Sequence, residues 1–423
     1  MTLPAEARST PTVAVITVGD EILSGRICDR HSAWVSAALE PLGYRMSYHL
    51  SVGDEAGALA RVLRHPPVHT DALIIAGGLG PTDDDRTRAE VAAALGDDLE
   101  FRDESWERIA AYYRSFGREP SPLNRRQAFF PASAREILNP HGTAPAFMVE
   151  HPETGQILWV LPGVPHELHA LFRSEVLPAM QRRWEPSAVR LATYHFFGIS
   201  ESELAEWLRT QLPSERSGDY HICVSDGEIE VRLDPRVEIA AAATRSYGSR
   251  FLGAGEVGLA ARLVGEATDR GVTFAIAESC TGGLVGARVT AIAGASRAFR
   301  GGWITYDNEW KQRELGVSSD GLEVHGAVSA EVACAMAAGA SSRGGVDFAV
   351  AVTGIAGPAG GSATKPVGTV YFGLASGRDV YWLRKSYRGD RERVRSLSAN
   401  QALHALWCAV RGQIGDEWLT LVS

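Results

Sequence analysis

The chain has few of the features that mark secreted, disulfide-bonded, membrane-spanning or nucleic-acid-coating proteins. Its 423 residues include only five cysteines and no CxxC pair, which argues against a disulfide framework or zinc site and is typical of a reducing cytoplasm. No apolar run approaches the roughly 18 residues that cross a bilayer, and the start, MTLPAEARSTPT, lacks the apolar core of a signal peptide. The formal net charge of −9 disfavours non-specific binding to nucleic acid or anionic membranes. We therefore expect a cytoplasmic protein.

Strand-like and helix-like segments alternate along most of the chain. TVAVITVGD, the segment Tyr44 to Val52, and ALIIAGG are predicted strands, and FAIAES and FAVAVTGIAG are predicted strands nearer the C-terminus. Such alternation predicts parallel sheets with helices on both faces, whereas GTVYFGLA and DVYWLRKSY predict an antiparallel hairpin. The fold class is α/β: two three-layer domains with parallel or mixed sheets, at 10–184 and 255–415, joined by a small α+β module at 185–245.

The most informative segment runs from Ala277 to Lys311 and begins AESCTGG. It places Ser279 at a turn before an amphipathic helix, where backbone N–H groups can bind an oxyanion. Lys311 is predicted to take the serine proton, and Tyr306 to relay that proton or hold the lysine. Cys280 is a rival nucleophile if its pKa is lowered. The alternative is an ordinary helix cap, with Lys311 as a solvated helix residue.

Two further segments would complete this site. Thr353 begins the loop TGIAGPAGG, whose N–H groups suit a phosphate or ribose, although a plain β-turn is equally compatible with Gly-Pro. Arg395, on the final helix, suits a phosphate clamp. The predicted catalytic residues are Ser279, Tyr306, Lys311 and Thr353. The predicted substrate-binding residues are Cys280, Thr281, Gly282, Gly283, Gly354, Gly357 and Arg395.

A second candidate site lies in the N-terminal half, where the loops GDEILSG, GGLGPTDDD and NPHGTAPAF follow predicted strands. Glycines in the second loop allow close approach to a phosphate, and the acidic residues after them suit a cation that bridges to it. The alternative is that these acids cap a helix. The predicted ligands of a divalent metal (Mg, Mn or Co) are Asp20, Glu21, Asp84 and Asp85. The predicted substrate contacts are Gly78, Gly80, Thr82, Asn139, Gly142 and Thr143.

These motifs together resemble the CinA family over roughly residues 10 to 412. ESCTGG, GGWITYDNEWKQRELGV, GAVSAEVACAMA and AVAVTGIAGPAGG are similar to its C-terminal domain, which resembles nicotinamide-nucleotide amidases. GDEILSG, GGLGPTDDD, NPHGTAPAF and LPGVPHEL are similar to its N-terminal domain, which has a molybdopterin-binding fold. The middle module resembles a KH domain but has no GXXG loop, so we interpret it as a structural spacer or dimer element and expect no direct nucleic-acid binding.

The resemblance implies a homodimer with two activities on breakdown products of NAD. The C-terminal domain would deamidate nicotinamide mononucleotide without a cofactor, and the N-terminal domain would use a divalent metal to hydrolyse ADP-ribose to AMP and ribose 5-phosphate. The family usually has Asn where His31 stands and Gly where Ala146 stands, and the added methyl of Ala146 predicts a narrower N-terminal pocket. The alternatives are a cofactor-handling protein built on the molybdopterin-binding fold, or a non-enzymatic adaptor in competence or DNA repair.

Overall fold

The computed structural model describes residues 10–184, 191–212, 220–415 and 417–420. The chain divides into two compact units, Met1–Arg190 and Leu191–Ser423. Within the described ranges, no helix is long and apolar enough to cross a membrane.

The first unit contains eight strands and seven α-helices among its described residues. The strands are β1 Thr12–Val18, β2 Arg45–Val52, β3 Ala72–Ala76, β4 Leu99–Phe101, β5 Phe129–Pro131, β6 Arg135–Ile137, β7 Ala146–Glu150 and β8 Ile157–Leu161. The helices are α1 Asp20–Leu23, α2 His31–Leu39, α3 Ala58–Arg64, α4 Thr87–Leu95, α5 Asp103–Ser115, α6 Pro165–Leu171 and α7 Leu177–Arg183.

Six of these strands form a mixed sheet in the order β2-β1-β3-β8-β7-β6. The first four are parallel, whereas β7 is antiparallel to β8 and β6 is antiparallel to β7, so the sheet is mixed, one of the two predicted arrangements. The connection from β7 to β8 is too short for the crossover that a parallel pair needs, so it forms a hairpin. Alternate residues of β1 enter two separate cores, Val13 with α2 and α6 residues and Ala14 with α3 and α4 residues, so helices cover both faces.

The second unit contains the remaining elements. Its strands are β9 Ala192–Phe197, β10 Tyr220–Ser225, β11 Glu228–Leu233, β12 Phe251–Ala254, β13 Phe274–Glu278, β14 Phe299–Ile304, β15 Phe348–Gly354, β16 Thr369–Ser376, β17 Asp379–Ser386 and β18 Leu419–Thr420. Its helices are α8 Glu201–Gln211, α9 Ala240–Tyr247, α10 Leu259–Asp269, α11 Leu284–Thr290, α12 Asn308–Leu315, α13 Ser319–His325, α14 Ala330–Gly344 and α15 Arg391–Val410.

Two sheets organise this unit. A small antiparallel sheet has the order β10-β11-β9-β12, and a six-stranded mixed sheet has the order β14-β13-β15-β16-β17-β18. Strands β14, β13 and β15 are parallel, and the predicted β16–β17 hairpin is confirmed. Helix α15 is buried along most of its length, and its core also contains Phe197 and Leu252 from the small sheet. Two residues of the small sheet therefore join the core of the large sheet, while most of its buried residues form a core of their own with α8 and α9.

Candidate functional site

The C-terminal candidate site lies at the carboxyl ends of three neighbouring parallel strands. In register, Glu278 of β13 lies opposite both Ile304 of β14 and Val352 of β15. The residues that follow each of these, Ser279, Thr305 and Thr353, are therefore brought to one edge of the sheet, as parallel strands require. The Ser279 N–H donates to Val352 O at 2.9 Å, and the Thr305 N–H donates to Glu278 O at 2.8 Å. The predicted serine and threonine loops thus lie side by side.

Glu278 shapes the loop that carries the serine. Its carboxylate, only 1% exposed, accepts N–H groups from Gly283 at 2.9 Å, Val285 at 3.1 Å and Gly286 at 2.9 Å. Gly283 has a φ of 94°, a left-handed conformation that favours glycine at this turn. The expectation that the amides at the start of α11 face the substrate is therefore wrong, because the chain's own carboxylate already occupies them. Sequence reasoning missed Glu278, although an acid before a helix is a recognisable capping signal.

Two amides of the same loop remain available for an oxyanion. The N–H groups of Cys280 and Thr281 donate to no oxygen atom among the described residues. An N–H directly after a nucleophile is a common oxyanion donor in serine hydrolases. The side chains of both residues are buried, at 6% and 0% exposure, so any substrate contact is through their backbone.

Cys280 does not have the environment of a nucleophile. Its side chain belongs to the hydrophobic core beneath the sheet edge. Burial is the main cause that raises the pKa of its thiol to about 12. Since the reactive form of cysteine is the thiolate, this environment favours Ser279 over Cys280.

Lys311 is buried, at 1% exposure, and is not a solvated helix residue. It lies on α12, and its Nζ donates to Thr305 O at 2.9 Å and to Tyr306 O at 3.2 Å. Burial lowers the pKa of Lys311, while the nearby Asp307 charge opposes that shift. A buried lysine with a lowered pKa is suited to accept a proton. The described structure has no hydrogen bond between Nζ and Ser279, and such contacts often tighten only when substrate binds.

Tyr306 is held by an arginine that sequence reasoning missed. Arg391 donates from Nη2 to the Tyr306 hydroxyl at 2.9 Å and from Nη1 to Gly357 O at 2.8 Å. The Tyr306 side chain is otherwise exposed, so this contact fixes a group that solvent would leave free. Arg395 lies one helical turn further along α15 and donates to Thr281 O at 2.8 Å. The four-residue spacing places both arginines on one helix face. Once Arg395 was predicted to bind substrate, this spacing could have identified Arg391 from the sequence.

The Thr353 loop completes the arrangement. The Thr353 hydroxyl donates to Ala327 O at 2.7 Å, so it can only accept a hydrogen bond from a substrate. Gly354 lies at the end of β15 against Val370, and Gly357 accepts the Arg391 contact. A serine, a buried amine, two unoccupied amides and two arginines at one sheet edge can support hydrolysis of an amide in an anionic molecule.

The N-terminal candidate site is a cavity of about 700 Å³. It is lined by five of the predicted residues, Glu21, Gly78, Gly80, Asp85 and Thr143. Among the described residues, five others lie outside this lining, namely Asp20, Thr82, Asp84, Asn139 and Gly142. The segment from Arg26 to His31 also lines the cavity, together with Gln127 and Glu167, and sequence reasoning missed all of these except His31.

The Asp85 side chain stabilises its own loop through hydrogen bonds. Its carboxylate accepts the Gly80 N–H at 2.8 Å and the Thr82 N–H at 2.9 Å, and it also accepts the Thr82 hydroxyl. These contacts fold the loop and place Gly80 against the cavity. The Asp85 side chain is therefore a structural element of the loop in this conformation and not a ready metal ligand.

The other predicted metal ligands lie near an acid that sequence reasoning missed, Asp54. Asp20 and Asp54 exchange backbone-to-carboxylate hydrogen bonds, at 2.9 Å and 3.1 Å. Burial raises the pKa of Asp54, and the negative charges of Asp20, Glu21 and Asp84 add to that rise. Across the residues the structure describes, no three His, Cys, Asp or Glu side chains lie close enough to hold a metal ion. The predicted ligands do not form an assembled metal site.

The third loop is organised by Glu167. Asn139 Nδ2 donates to the Glu167 carboxylate at 2.6 Å and to Ala144 O at 2.9 Å. A Cβ at Gly142 would overlap the Glu167 carboxylate, which explains the glycine there. The Thr143 hydroxyl accepts from Gln127 Nε2 at 3.3 Å and faces the cavity. Asn139 and Gly142 therefore support the loop that presents Thr143.

The two positions that depart from the family's usual residues, His31 and Ala146, have different surroundings. His31 lines the cavity, and its Nε2 lies 2.9 Å from Gly163 O. Ala146 lies in β7 with no exposure, and its side chain belongs to the hydrophobic core on the α2 and α6 face of the sheet. The prediction that the Ala146 methyl narrows the pocket is therefore wrong, because that methyl is in the core and not in the lining.

Comparisons with known proteins match both halves of the chain. The family model "CinA C-terminal domain" matches residues 256–409, and the model "Probable molybdopterin binding domain" matches residues 14–182. A CinA-like protein from Citrifermentans bemidjiense is 41% identical over 399 residues, which are 92% of this chain and 95% of that protein. A CinA-like protein from Geobacter sulfurreducens is 40% identical over 409 residues, 92% of this chain and 97% of that protein.

The solved structures that match each cover a fraction of the chain. The competence/damage inducible protein CihA from Agrobacterium tumefaciens is 42% identical, covers 36% of this chain and 93% of its own, and has a TM-score of 0.35.

Proposed function

Because this chain belongs to the CinA family, with a molybdopterin-binding-like domain followed by a CinA C-terminal domain, we propose that it hydrolyses pyridine nucleotides. The C-terminal domain deamidates nicotinamide mononucleotide to nicotinate mononucleotide and ammonia. The observation that carries this proposal is Lys311 of α12, a buried amine with a lowered pKa that donates to Thr305 O and Tyr306 O, on the loop beside the one that carries Ser279. A buried lysine with two carbonyl partners beside a serine loop is unusual for a purely structural contact.

Each side chain of the site has a role in this reaction. Lys311 takes the Ser279 proton, directly or through Tyr306, and the serine oxygen attacks the carboxamide carbon. The N–H groups of Cys280 and Thr281 stabilise the oxyanion. Lys311 returns the proton to the leaving ammonia, which breaks the C–N bond and leaves an acyl-enzyme. Water then attacks the ester, giving the carboxylate and restoring the serine.

The arginines of α15 suit the phosphate of the nucleotide. Arg395 lies against the serine loop through Thr281 O, and Arg391 reaches Tyr306 and Gly357. A planar guanidinium recognises a phosphate by paired hydrogen bonds. The phosphate is therefore bound on the α15 side of the serine loop, with the nicotinamide ring toward Lys311.

The N-terminal domain hydrolyses ADP-ribose to AMP and ribose 5-phosphate. Its cavity of about 700 Å³ is in the size range of nucleotide sites, and Gly78 and Gly80 line it. A divalent ion (Mg, Mn or Co) would polarise the pyrophosphate. The carboxylates of Asp20, Glu21 and Asp84 do not form an assembled ligand set, so we derive no step through the ion.

Ammonia release from nicotinamide mononucleotide by the purified full-length protein tests the first activity. Ser279→Ala should reduce the rate by several orders of magnitude, because a covalent nucleophile is lost. Cys280→Ala is the matched control at the next position and should retain activity, since its buried thiol is neutral. Near-normal turnover by Ser279→Ala would refute the serine assignment. Failure of the wild-type protein to release ammonia would refute the amidase and favour a non-enzymatic adaptor.

A further inference from the structure

The turn between β10 and β11 reaches from the small sheet into the C-terminal domain. Ser225 pairs with Glu228, which leaves Asp226 and Gly227 as a two-residue turn. Both turn residues have positive φ, 51° and 84°. A hairpin turn of this type prefers Asp-Gly, so turn geometry alone explains these two residue types. It does not explain where the Asp226 carboxylate points.

The Asp226 carboxylate joins two helices of the C-terminal domain. Its Oδ2 accepts from Arg288 Nη2 at 3.0 Å and from Ser396 Oγ at 2.5 Å. Its backbone oxygen accepts from Asn400 Nδ2 at 3.1 Å. Arg288 lies on α11, whereas Ser396 and Asn400 lie on α15. One residue of the small module therefore contacts both helices.

Arg288 is the cation at the centre of this contact. It donates from Nη1 to Ser396 O at 2.9 Å and to Asn400 Oδ1 at 2.5 Å. Its side chain is only 22% exposed, and burial lowers its pKa while the Asp226 charge raises it. Asp226 therefore provides the counter-charge for a largely buried guanidinium between the two helices. Removing that carboxylate leaves the guanidinium with neutral oxygen partners alone.

These two helices carry the candidate site. Helix α11 begins directly after the serine loop, and the first turns of α15 carry Arg391 and Arg395. Arg395, which contacts Thr281 O at 2.8 Å, is the neighbour of Ser396 along the chain. Any shift of α15 relative to α11 therefore changes the distance between the serine loop and the arginines.

The base of the hairpin is also anchored to the C-terminal domain. Glu228, the first residue of β11, accepts from the Leu259 N–H of α10 at 3.3 Å, and it also accepts from His195 Nδ1 of the neighbouring strand β9 at 2.9 Å. Phe197 of β9 stacks on His404 of α15, with ring centroids 4.4 Å apart. Since β11 and its neighbour β9 are both anchored to helices of the C-terminal domain, the tip is held in place against α11 and α15.

We propose that Asp226 is a positioning residue of the C-terminal active site, so the small module is a working part of that site and not a spacer. This proposal rests on the amidase function proposed above. Asp226 holds α11 and α15 together through Arg288 and Ser396, and thereby fixes the arginines against the serine loop.

The test uses the full-length protein with Asp226→Asn and Asp226→Gly. Both replacements tolerate positive φ, so the turn is retained and the carboxylate alone is lost. Glu230→Gln is the matched control, because Glu230 lies on the same hairpin and pairs with Arg232 within the small sheet. We expect KM for nicotinamide mononucleotide to rise about 3- to 30-fold in both Asp226 variants, with kcat changed less and the control unchanged.

Hydrogen exchange of the α11 and α15 amides gives a readout that does not need catalysis. We expect faster exchange in these helices in both Asp226 variants and not in Glu230→Gln. Unchanged exchange together with unchanged KM would overturn the proposal. A lower unfolding temperature with unchanged KM would also overturn it, because Asp226 would then be a stabilising contact only. Absence of ammonia release by the wild-type protein would refute the amidase function, while faster exchange in the Asp226 variants would still support the contact between module and helices.

Discussion

Replacing Lys311 with arginine separates its two roles in the proposed site, hydrogen-bond donor and proton acceptor. Arginine keeps the donors that reach Thr305 O and Tyr306 O, but it stays charged at every working pH and cannot accept a proton. Lys311→Arg should therefore lower kcat by about 10²- to 10⁴-fold, the usual contribution of a general base. Lys311→Met removes both roles and should lower kcat at least as far.

The two variants differ in their expected stability. In Lys311→Met, the carbonyls of Thr305 and Tyr306 lose their partner, and an unpaired buried acceptor costs about 1–3 kcal/mol each. Removing a desolvated amine offsets part of that loss. In Lys311→Arg the carbonyls stay paired, but the larger group enters a site with 1% exposure and overpacking costs about 1–3 kcal/mol. The free energy of unfolding in urea, measured for each variant, shows whether a loss of activity results from loss of the folded state.

The pH dependence of the rate tests whether Lys311 accepts a proton. Burial lowers the pKa of Lys311 from its ordinary 10.5. The ammonium form below that lowered pKa cannot accept the serine proton, so the wild-type rate should rise as pH rises through it and then level off. Lys311→Arg should lose this rising limb.

Initial rates of ammonia release across pH, for the wild type and each variant, provide the measurement. Lys385→Arg is the matched control, because Lys385 is paired with Glu417 at 2.7 Å and is far less buried than Lys311. It should match the wild type. A Lys311→Arg enzyme within about threefold of wild type, or one that keeps the same rising limb, would refute a proton-accepting Lys311.

Three further outcomes are expected. Arg391→Gln and Tyr306→Phe should each lower kcat, and the double variant should lower kcat no further than the worse single variant, because Arg391 affects kcat by holding the Tyr306 hydroxyl while loss of its phosphate contact raises KM; additive losses in kcat would contradict this. Glu278→Gln should lower the free energy of unfolding by about 1–3 kcal/mol in urea titration, since an amide N–H would face three N–H donors; an unchanged midpoint would exclude this capping role. Chelator should stop AMP formation from ADP-ribose, because the proposed pyrophosphate hydrolysis uses a divalent ion, and should leave ammonia release intact; equal loss of both reactions would refute two separate chemistries.

The centres of the sheets could be predicted from the sequence because buried strands are continuous apolar runs. FAIAE matches β13, and ALIIA matches β3. The edge of the first sheet could not be predicted from the sequence, because β6 and β7 are short and their antiparallel direction depends on the loop before β8. The Ser279 and Thr353 loops meet because the parallel strands that lead into them finish at the same edge.

Hydrogen-bond partners within the loops could not be predicted, because sequence spacing does not determine where a side chain points. Glu278 and Asp85 illustrate this. Each acid turns back onto N–H groups of its own loop, Glu278 at the start of α11 and Asp85 at Gly80 and Thr82. In the first site Glu278 occupies amides that were expected to face the ligand, and in the second Asp85, expected to be a metal ligand, supports the loop.

The amino-acid composition also singles out Lys311, in a way that the spacing of the motifs does not show. Only three of its 42 lysine and arginine residues are lysines, Lys311, Lys365 and Lys385. The chain uses arginine almost everywhere for positive charge. Of its three lysines, Lys311 is the one that is fully buried. Arginine could donate to the same two carbonyls, but it could not release its proton. In the proposed mechanism the residue type at this position is explained by proton transfer in addition to hydrogen bonding, which is the distinction that Lys311→Arg measures.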